Sequence, residues 1–180
     1  MLKIAEHLDE LRFDELAELY HDDLEVEGVD DRDLEPGDDW FAGMKAEFGV
    51  YLSARFFSRS ERLNNVRSFY AIWEAEGKYV SAVRVHVYEQ GLLLEALQTR
   101  EDARGKGYAA ALLGAVLAYL VQRGQFKVYA HVRDWKTQAA RLLETYGFRR
   151  ILDYAVRKDP YEWPPYYYRE SGYLTYFLEL

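Results

Sequence analysis

Residues 99–109 are Thr99-Arg100-Glu101-Asp102-Ala103-Arg104-Gly105-Lys106-Gly107-Tyr108-Ala109, where glycines and cations alternate directly before an apolar run. The pattern predicts a strand end, a short turn, and a helix that stops at Gly124. The first N–H groups of a helix have no partner within it, and the helix dipole adds positive charge there, so such a turn can bind a phosphate group. The spacing matches neither the dinucleotide nor the nucleoside-triphosphate glycine motif, and a glycine-rich helix start without a ligand remains the alternative.

Patterns on both sides of this turn predict alternating helices and strands. Apolar residues recur at helical spacing over residues 9–22, 41–56, 105–123 and 135–145. Strand patterns cover residues 68–73, 79–88, 92–99, 126–132, 149–156 and 173–180, and residues 2–6 form either a first strand or an arm. The order predicts one α/β (α+β) domain over residues 1–180. Its sheet is mixed, with a parallel pair joined by a right-handed crossover and with helices on both faces.

The composition excludes several classes of protein and of site. The chain has 180 residues, 49% of them hydrophobic and 30% charged, which is typical of a globular domain. It has no Cys, so disulfides, thiolate metal sites and a Cys nucleophile are excluded, and we expect no metal. The net charge of −8 argues against nucleic-acid binding. No apolar run is long enough to span a membrane and no signal peptide is evident, so we expect a cytoplasmic protein.

Two motifs resemble those of a known family. The turn Arg104–Ala109 fits the signature Gln/Arg-x-x-Gly-x-Gly/Ala of the GNAT superfamily of N-acetyltransferases, again between a strand and a long helix. Further along, Ala139, Leu142 and Tyr146-Gly147-Phe148 resemble the second signature, Asn-x-x-Ala-x-x-Leu-Tyr-x-x-x-Gly-Phe. The resemblance covers at least residues 70–157.

The resemblance implies a fold, a co-substrate and a reaction. The fold is a mixed, mostly antiparallel sheet whose central parallel pair is splayed to admit acyl-CoA. Acetyl-CoA, or another acyl-CoA, is the donor, and a small-molecule or peptide amine is the acceptor. The pyrophosphate is expected on the turn and the pantetheine arm beside the strand before it. The implied cofactor-binding residues are Leu97, Gln98, Thr99, Arg104, Gly105, Lys106, Gly107, Tyr108, Ala109 and Lys136.

The chain departs from the family pattern at two positions. Lys136 stands at the Asn position of the second signature, and either reaches a CoA phosphate or is solvated. Leu143 stands where many members have the Tyr that protonates the leaving thiolate, so the usual general acid is not carried over. Tyr146 is close by, in a slot that is normally part of the core. A non-catalytic acyl-CoA-binding module with a degenerate active site is therefore the alternative to an enzyme.

Two residues are candidates for the catalytic base. Glu95 is a charge within a strand of leucines, and we expect burial to raise its pKa toward a useful range. His131, at the end of the next strand, is the second candidate, and His86 is weaker. A structural role is the alternative for each. Arg84 either binds an acidic group of the substrate or pairs with Glu95.

Two segments have an unusual composition. Tyr161, Tyr166, Tyr167 and Tyr168 cluster around Trp163 and two prolines, and predict either an aromatic wall of the acceptor cleft or the surface of a homodimer. Residues 1–40 contain 16 acidic and 3 basic side chains. This end of the chain either attracts a cationic partner or is an ordinary solvated surface.

Overall fold

A computed structural model describes residues 1–21, 40–57, 65–88, 91–151 and 172–180, which form a mixed sheet with helices on both faces. The strands are β1 (Leu2–Ala5), β2 (Asn65–Ala75), β3 (Lys78–Tyr88), β4 (Leu92–Thr99), β5 (Lys127–Arg133), β6 (Arg149–Arg150) and β7 (Tyr173–Glu179). The α-helices are α1 (Phe13–Leu19), α2 (Trp40–Tyr51), α3 (Tyr108–Gln122) and α4 (Thr137–Thr145). Short 3₁₀ turns cover Leu8–Glu10 and Glu101–Ala103, and a π turn covers Leu52–Phe56.

The strands are ordered β1-β2-β3-β4-β5-β7-β6 across the sheet. Among the described pairs only β4 and β5 are parallel, and α3 connects them. All other described pairs are antiparallel. The predicted fold class, with its central parallel pair, is therefore confirmed, and residues 2–5 form a strand that pairs with β2 rather than an arm.

A tight hairpin joins β2 to β3 and sets their register, in which Ser68 lies opposite His86. Glu76 and Gly77 have φ values of +51° and +74°, as a two-residue turn between twisted strands requires. The hairpin joins two strands of 11 residues each. On the other edge of β3, Arg84 lies directly opposite Glu95 on β4.

The core has two layers, one on each face of the sheet. On one face, α3 buries Leu112, Val116 and Leu120, which recur at intervals of four residues, and α4 adds Leu143. On the other face, α1 and α2 bury their own apolar residues against β2 and β3, among them Phe48. The apolar residues of β4 and β5 pack mainly in the first layer, whereas Ala96 of β4 packs against the second.

Some element boundaries differ from the sequence prediction. The helix predicted over residues 9–22 is a 3₁₀ turn followed by the shorter α1. The carboxylate of Glu10 accepts hydrogen bonds from the backbone N–H groups of Glu6 (2.6 Å) and His7 (3.1 Å), which closes the turn, and Leu11 is extended. Three predicted features lie wholly or partly outside the described residues. They are the part of the acidic segment after His21, the Tyr-rich segment, and the end of the strand predicted at 149–156.

Candidate active site

The glycine turn lies between the 3₁₀ turn of residues 101–103 and the first residue of α3. Gly105 and Gly107 have φ values of +77° and +80°, a conformation that glycine adopts without strain. A Cβ built on either residue would have no protein atom within 4 Å. The turn therefore leaves open space above two backbone positions at the N-terminus of a 15-residue helix, which is the arrangement that favours an anion.

A cavity of about 650 Å³ extends from this turn to the start of α4. Of the ten predicted cofactor-binding residues, nine line it: Leu97, Gln98, Thr99, Arg104, Gly105, Gly107, Tyr108, Ala109 and Lys136. Lys106 is exposed and is not part of the lining. Trp135, which the sequence motifs did not indicate, also borders the cavity and has 61% of its surface exposed. The available signal in the sequence was its position directly before Lys136.

Two cations are held across this cavity by polar groups of β4. The Nε of Arg104 donates to the carbonyl oxygen of Thr99 at 3.2 Å. The Nζ of Lys136 donates to Oε1 of Gln98 at 3.4 Å. Both positive side chains thus border the space that the glycines leave open, and Lys136 lines the cavity rather than being fully solvated.

The parallel pair separates beside the cavity. Leu92, Leu93 and Leu94 pair with residues 128–130 of β5, and no later residue of β4 pairs with β5 in the described ladder. At the same point β4 contains a bulge, with Ala96 at a φ of +52° and a register shift against β3. Tyr20, at the end of α1, donates from Oη to the carbonyl oxygen of Ala96 at 2.6 Å and holds the bulge. The gap supplies unpaired strand edges that an extended amide chain can join.

Glu95 lies at the start of this gap, between two imidazoles and a guanidinium. Its Oε1 is 3.1 Å from Nδ1 of His131, and its Oε2 is 3.1 Å from Nε2 of His86. The Nη2 of Arg84 is 3.9 Å from Oε2, while Nη1 of Arg84 donates to Oη of Tyr51 at 2.8 Å. The structure therefore brings together both candidate bases, as well as the weaker candidate His86. Arg84 pairs with Glu95, one of the two roles expected for it.

The expected direction of the Glu95 pKa shift is wrong. Burial raises the pKa of this carboxyl, but hydrogen bonds from His131 and His86 and the charges of His86 and Arg84 outweigh it. The pKa lies well below its ordinary value, so Glu95 is an ionised carboxylate at neutral pH. An anion with so low a pKa is a weak base toward an ammonium group.

Leu143, at the position of the usual tyrosine, and the nearby Tyr146 both pack in the core. Leu143 is 2% exposed and packs in the same apolar layer as α3. Tyr146 donates from Oη to the carbonyl oxygen of Ala110 at 2.7 Å. The same Oη of Tyr146 lies 3.0 Å from a Cβ built on Gly114. Tyr146 is thus fixed against α3 in a packing role, as its slot predicted.

In the described part of the chain, no group of three or more His, Cys, Asp or Glu side chains has a geometry that could hold a metal ion. Likewise, no helix within the described ranges combines the length and the apolar character needed to cross a membrane.

Comparisons with known proteins identify the fold and the family. The family model described as "Acetyltransferase (GNAT) family" matches residues 14–148. A PaiA N-acetyltransferase from Thermoplasma acidophilum, solved in complex with coenzyme A, has a TM-score of 0.63 at 9% identity, with 100% of this chain and 99% of that chain covered.

Two other solved structures share the fold. A ribosomal-protein-alanine N-acetyltransferase from Brucella melitensis has a TM-score of 0.60 at 16% identity, with coverage of 100% and 99%. An aminoglycoside 6'-acetyltransferase type Ii has a TM-score of 0.61 at 12% identity, with coverage of 99% and 96%. At these identities the likeness concerns the fold alone. Comparison with curated protein sequences gives no significant match.

Proposed function

The chain belongs to the GNAT family of acetyltransferases, and we propose that it transfers an acetyl group from acetyl-CoA to the nitrogen of an amine acceptor. One observation carries this proposal: the open glycine turn and the gap between β4 and β5 border the same cavity. A phosphate-binding turn followed by a free strand edge suits a pyrophosphate joined to an extended amide chain. The solved relative in complex with coenzyme A has the same fold.

The proposed donor site uses the backbone and two cations. The N–H groups at the start of α3 and the open space above Gly105 and Gly107 receive the pyrophosphate. Arg104 and Lys136 border the cavity and add positive charge. The pantetheine arm pairs with residues 97–99, which extend beyond the last pair of β4 with β5. Bound acetyl-CoA supplies the activated acyl group, and the chain supplies its orientation and the removal of protons from the amine.

Glu95 and His131 are the two side chains that we propose act together in removing protons from the amine. They are the first residues of β4 and β5 after the last pair of the parallel ladder, Leu94 with Ala130. Glu95 also lies two residues before Leu97, where the cavity lining begins. A proton acceptor at this point is close to the end of a pantetheine arm that follows residues 97–99.

The test combines binding with turnover. Acetyl-CoA is added in thermal unfolding, where a ligand at 100 times its Kd stabilises the folded state by about 2.7 kcal/mol. Release of the CoA thiol is then measured with spermidine, an aminoglycoside, free amino acids and a peptide with a free N-terminus. We expect stabilisation by acetyl-CoA and thiol release with at least one amine. No stabilisation would refute the proposed donor site.

A second function is favoured by one observation, the buried Leu143 at the position of the usual general acid. In this alternative the chain is a non-catalytic acyl-CoA-binding module. Stabilisation by acetyl-CoA without thiol release on any amine would favour it over the enzyme. A CoA thiol resembles an ordinary thiol with a pKa of about 8.5, so its anion needs little help to leave at neutral pH, and this favours the enzyme.

A further inference from the structure

Four polar side chains form a continuous row across the sheet, one from each of β2, β3, β4 and β5. Oγ of Ser68 is 3.0 Å from Nδ1 of His86, and Nε2 of His86 is 3.1 Å from Oε2 of Glu95. Oε1 of Glu95 is in turn 3.1 Å from Nδ1 of His131. The row is shielded from water: Glu95 is 13% exposed at its side chain, and His131 is 0% exposed.

Donor and acceptor rules allow one arrangement of protons when both rings are neutral. An ionised carboxylate only accepts hydrogen bonds, so the nitrogens that face Glu95, Nε2 of His86 and Nδ1 of His131, carry the protons. Nδ1 of His86 is then an acceptor and receives the hydroxyl proton of Ser68. In His131 the same rule makes Nε2 the nitrogen with the lone pair. Glu95 fixes both tautomers at once.

The surroundings of the row keep Glu95 ionised and the rings in place. The groups that face it are Arg84 and Tyr88 on β3, Tyr51 at the end of α2, Phe56 in the π turn, and Tyr173 on β7. Arg84 is the permanent cation of this set. Both nitrogens that face Glu95 already carry a proton. A proton that arrives on His131 therefore cannot pass through the carboxylate to His86, because Nε2 of His86 has no lone pair to accept it.

We infer that His131 is the proton acceptor for the amine, that Glu95 is a positioning residue which holds its tautomer, and that His86 and Ser68 position Glu95. The inference rests on the proposed acetyl transfer. The acceptor's ammonium, which enters along the gap between β4 and β5, gives one proton to Nε2 of His131. The amine nitrogen then bonds to the thioester carbonyl carbon and the C–S bond breaks. The second nitrogen proton leaves with the sulfur as the CoA thiol, and His131 gives its proton to water that enters the gap when the products leave.

This assignment differs from one in which Glu95 takes the proton itself. Glu95 is held by two donors and a nearby cation, which suits a carboxylate that orients an imidazole. An imidazolium formed at His131 lies 3.1 Å from that carboxylate, so its charge is stabilised where it forms.

The first test reads the tautomers and needs no turnover. The protein is labelled with ¹⁵N histidine, and two-bond ¹H–¹⁵N spectra are recorded at about pH 8.5, above the ordinary imidazole pKa of about 6.5. We expect His131 as the Nδ1–H tautomer and His86 as the Nε2–H tautomer, each assigned by its own substitution. In Glu95→Gln the amide accepts from one ring and donates to the other, so one ring changes tautomer. A His131 with its proton on Nε2 in the parent would overturn the inference.

The second test separates His131 from Glu95 by activity with the amine that releases most thiol. In His131→Asn the amide nitrogen replaces Nδ1, so the contact with Glu95 is kept and only Nε2 is lost. We expect kcat to fall roughly 10²- to 10⁴-fold, with the KM for acetyl-CoA nearly unchanged and the rising limb of the pH profile gone. Glu95→Gln keeps that limb at a lower kcat. His131→Asn within about threefold of the parent, with the limb lost in Glu95→Gln, would make Glu95 the base.

A matched pair at His86 tests its positioning role. His86→Gln places an amide nitrogen at the position of Nε2 and keeps the donor to Glu95, whereas His86→Asn loses it. We expect His86→Asn to lower kcat by roughly tenfold or more and His86→Gln to restore most of it. Equal kcat values in the two variants would remove His86 from the row. If no amine is acetylated, the proposed function fails, while the tautomers still decide the geometry of the row.

Discussion

The two ends of α3 allow a controlled test of the glycine turn. Gly107 caps the N-terminus with φ +80°, and Gly124 follows the C-terminus with φ +71°. A Cβ at either residue meets no protein atom within 4 Å. Replacement by Ala therefore brings the same backbone strain and no clash at both positions, but only Gly107 lies in the cavity lining.

The magnitudes follow from this comparison. A left-handed conformation costs an L-residue roughly 1–2 kcal/mol. For a chain of this size each kcal/mol lowers Tm by about 2–4 °C, so both variants should melt roughly 2–8 °C below the parent. At Gly107 the added methyl group also occupies the space proposed for the phosphate. The loss of one hydrogen bond to a charged group, worth roughly 1.5–3 kcal/mol, weakens acetyl-CoA binding about tenfold to a hundredfold.

The assay is calorimetric titration of acetyl-CoA into the parent, Gly107→Ala and Gly124→Ala, with thermal unfolding of each without ligand. We expect Gly124→Ala to bind like the parent although it is destabilised as much as Gly107→Ala. A Gly107→Ala variant that binds acetyl-CoA as tightly as the parent would refute the assignment of the turn as the phosphate site. Comparable weakening in both would show that the effect comes from strain in α3 rather than from contact with the ligand.

The remaining predictions concern three single side chains. Arg104→Ala should weaken acetyl-CoA binding and make its Kd less dependent on salt, because a screened charge is lost while the backbone amides remain; an unchanged salt slope in calorimetry would contradict this. Leu143→Ala should lower the free energy of unfolding in urea by roughly 2–5 kcal/mol, since it opens a cavity in the core. Leu143→Tyr should not raise kcat, and a hundredfold rise in thiol release would show that an acid is lacking. The folded-state pKa of Glu95 lies well below its ordinary value, so its contribution to stability is present above that ordinary value and is lost as pH falls through the folded pKa. The free energy of unfolding should therefore fall more steeply in the parent than in Glu95→Gln as the pH is lowered from about 6, and parallel curves would remove this role.

The confirmed elements are those whose sequence pattern lies within a short stretch of the chain. The glycine turn, the long α3 and the alternating strands β3 and β4 each carry their pattern within a few residues. The first helix was predicted too long because the carboxylate of Glu10 closes a separate turn before it. The place of β7 between β5 and β6 has no local signal, since it depends on which strands meet across the sheet.

The candidate site shows the same limit at the level of single residues. The strand patterns alone were enough to select Glu95 and His131 as candidate bases. The contact of Glu95 with His86, however, depends on the register of β3 against β4. That register includes a bulge at Ala96, where a non-glycine residue adopts a φ of +52°. The pKa of Glu95 was predicted in the wrong direction for the same reason, because burial is visible in a strand of leucines and the two imidazole donors are not.

The position of β7 in the sheet has a consequence for how the protein folds. The strand β5, which forms one side of the gap, pairs with β4 over three residues and with β7 over seven. Since β7 comes after all the other described strands in the chain, β5 has an open edge until this last strand docks. Contacts between segments so far apart along the chain form slowly. Until then β5 exposes an unpaired edge on the side opposite the proposed substrate gap, so misassembly and aggregation are expected to begin at that edge.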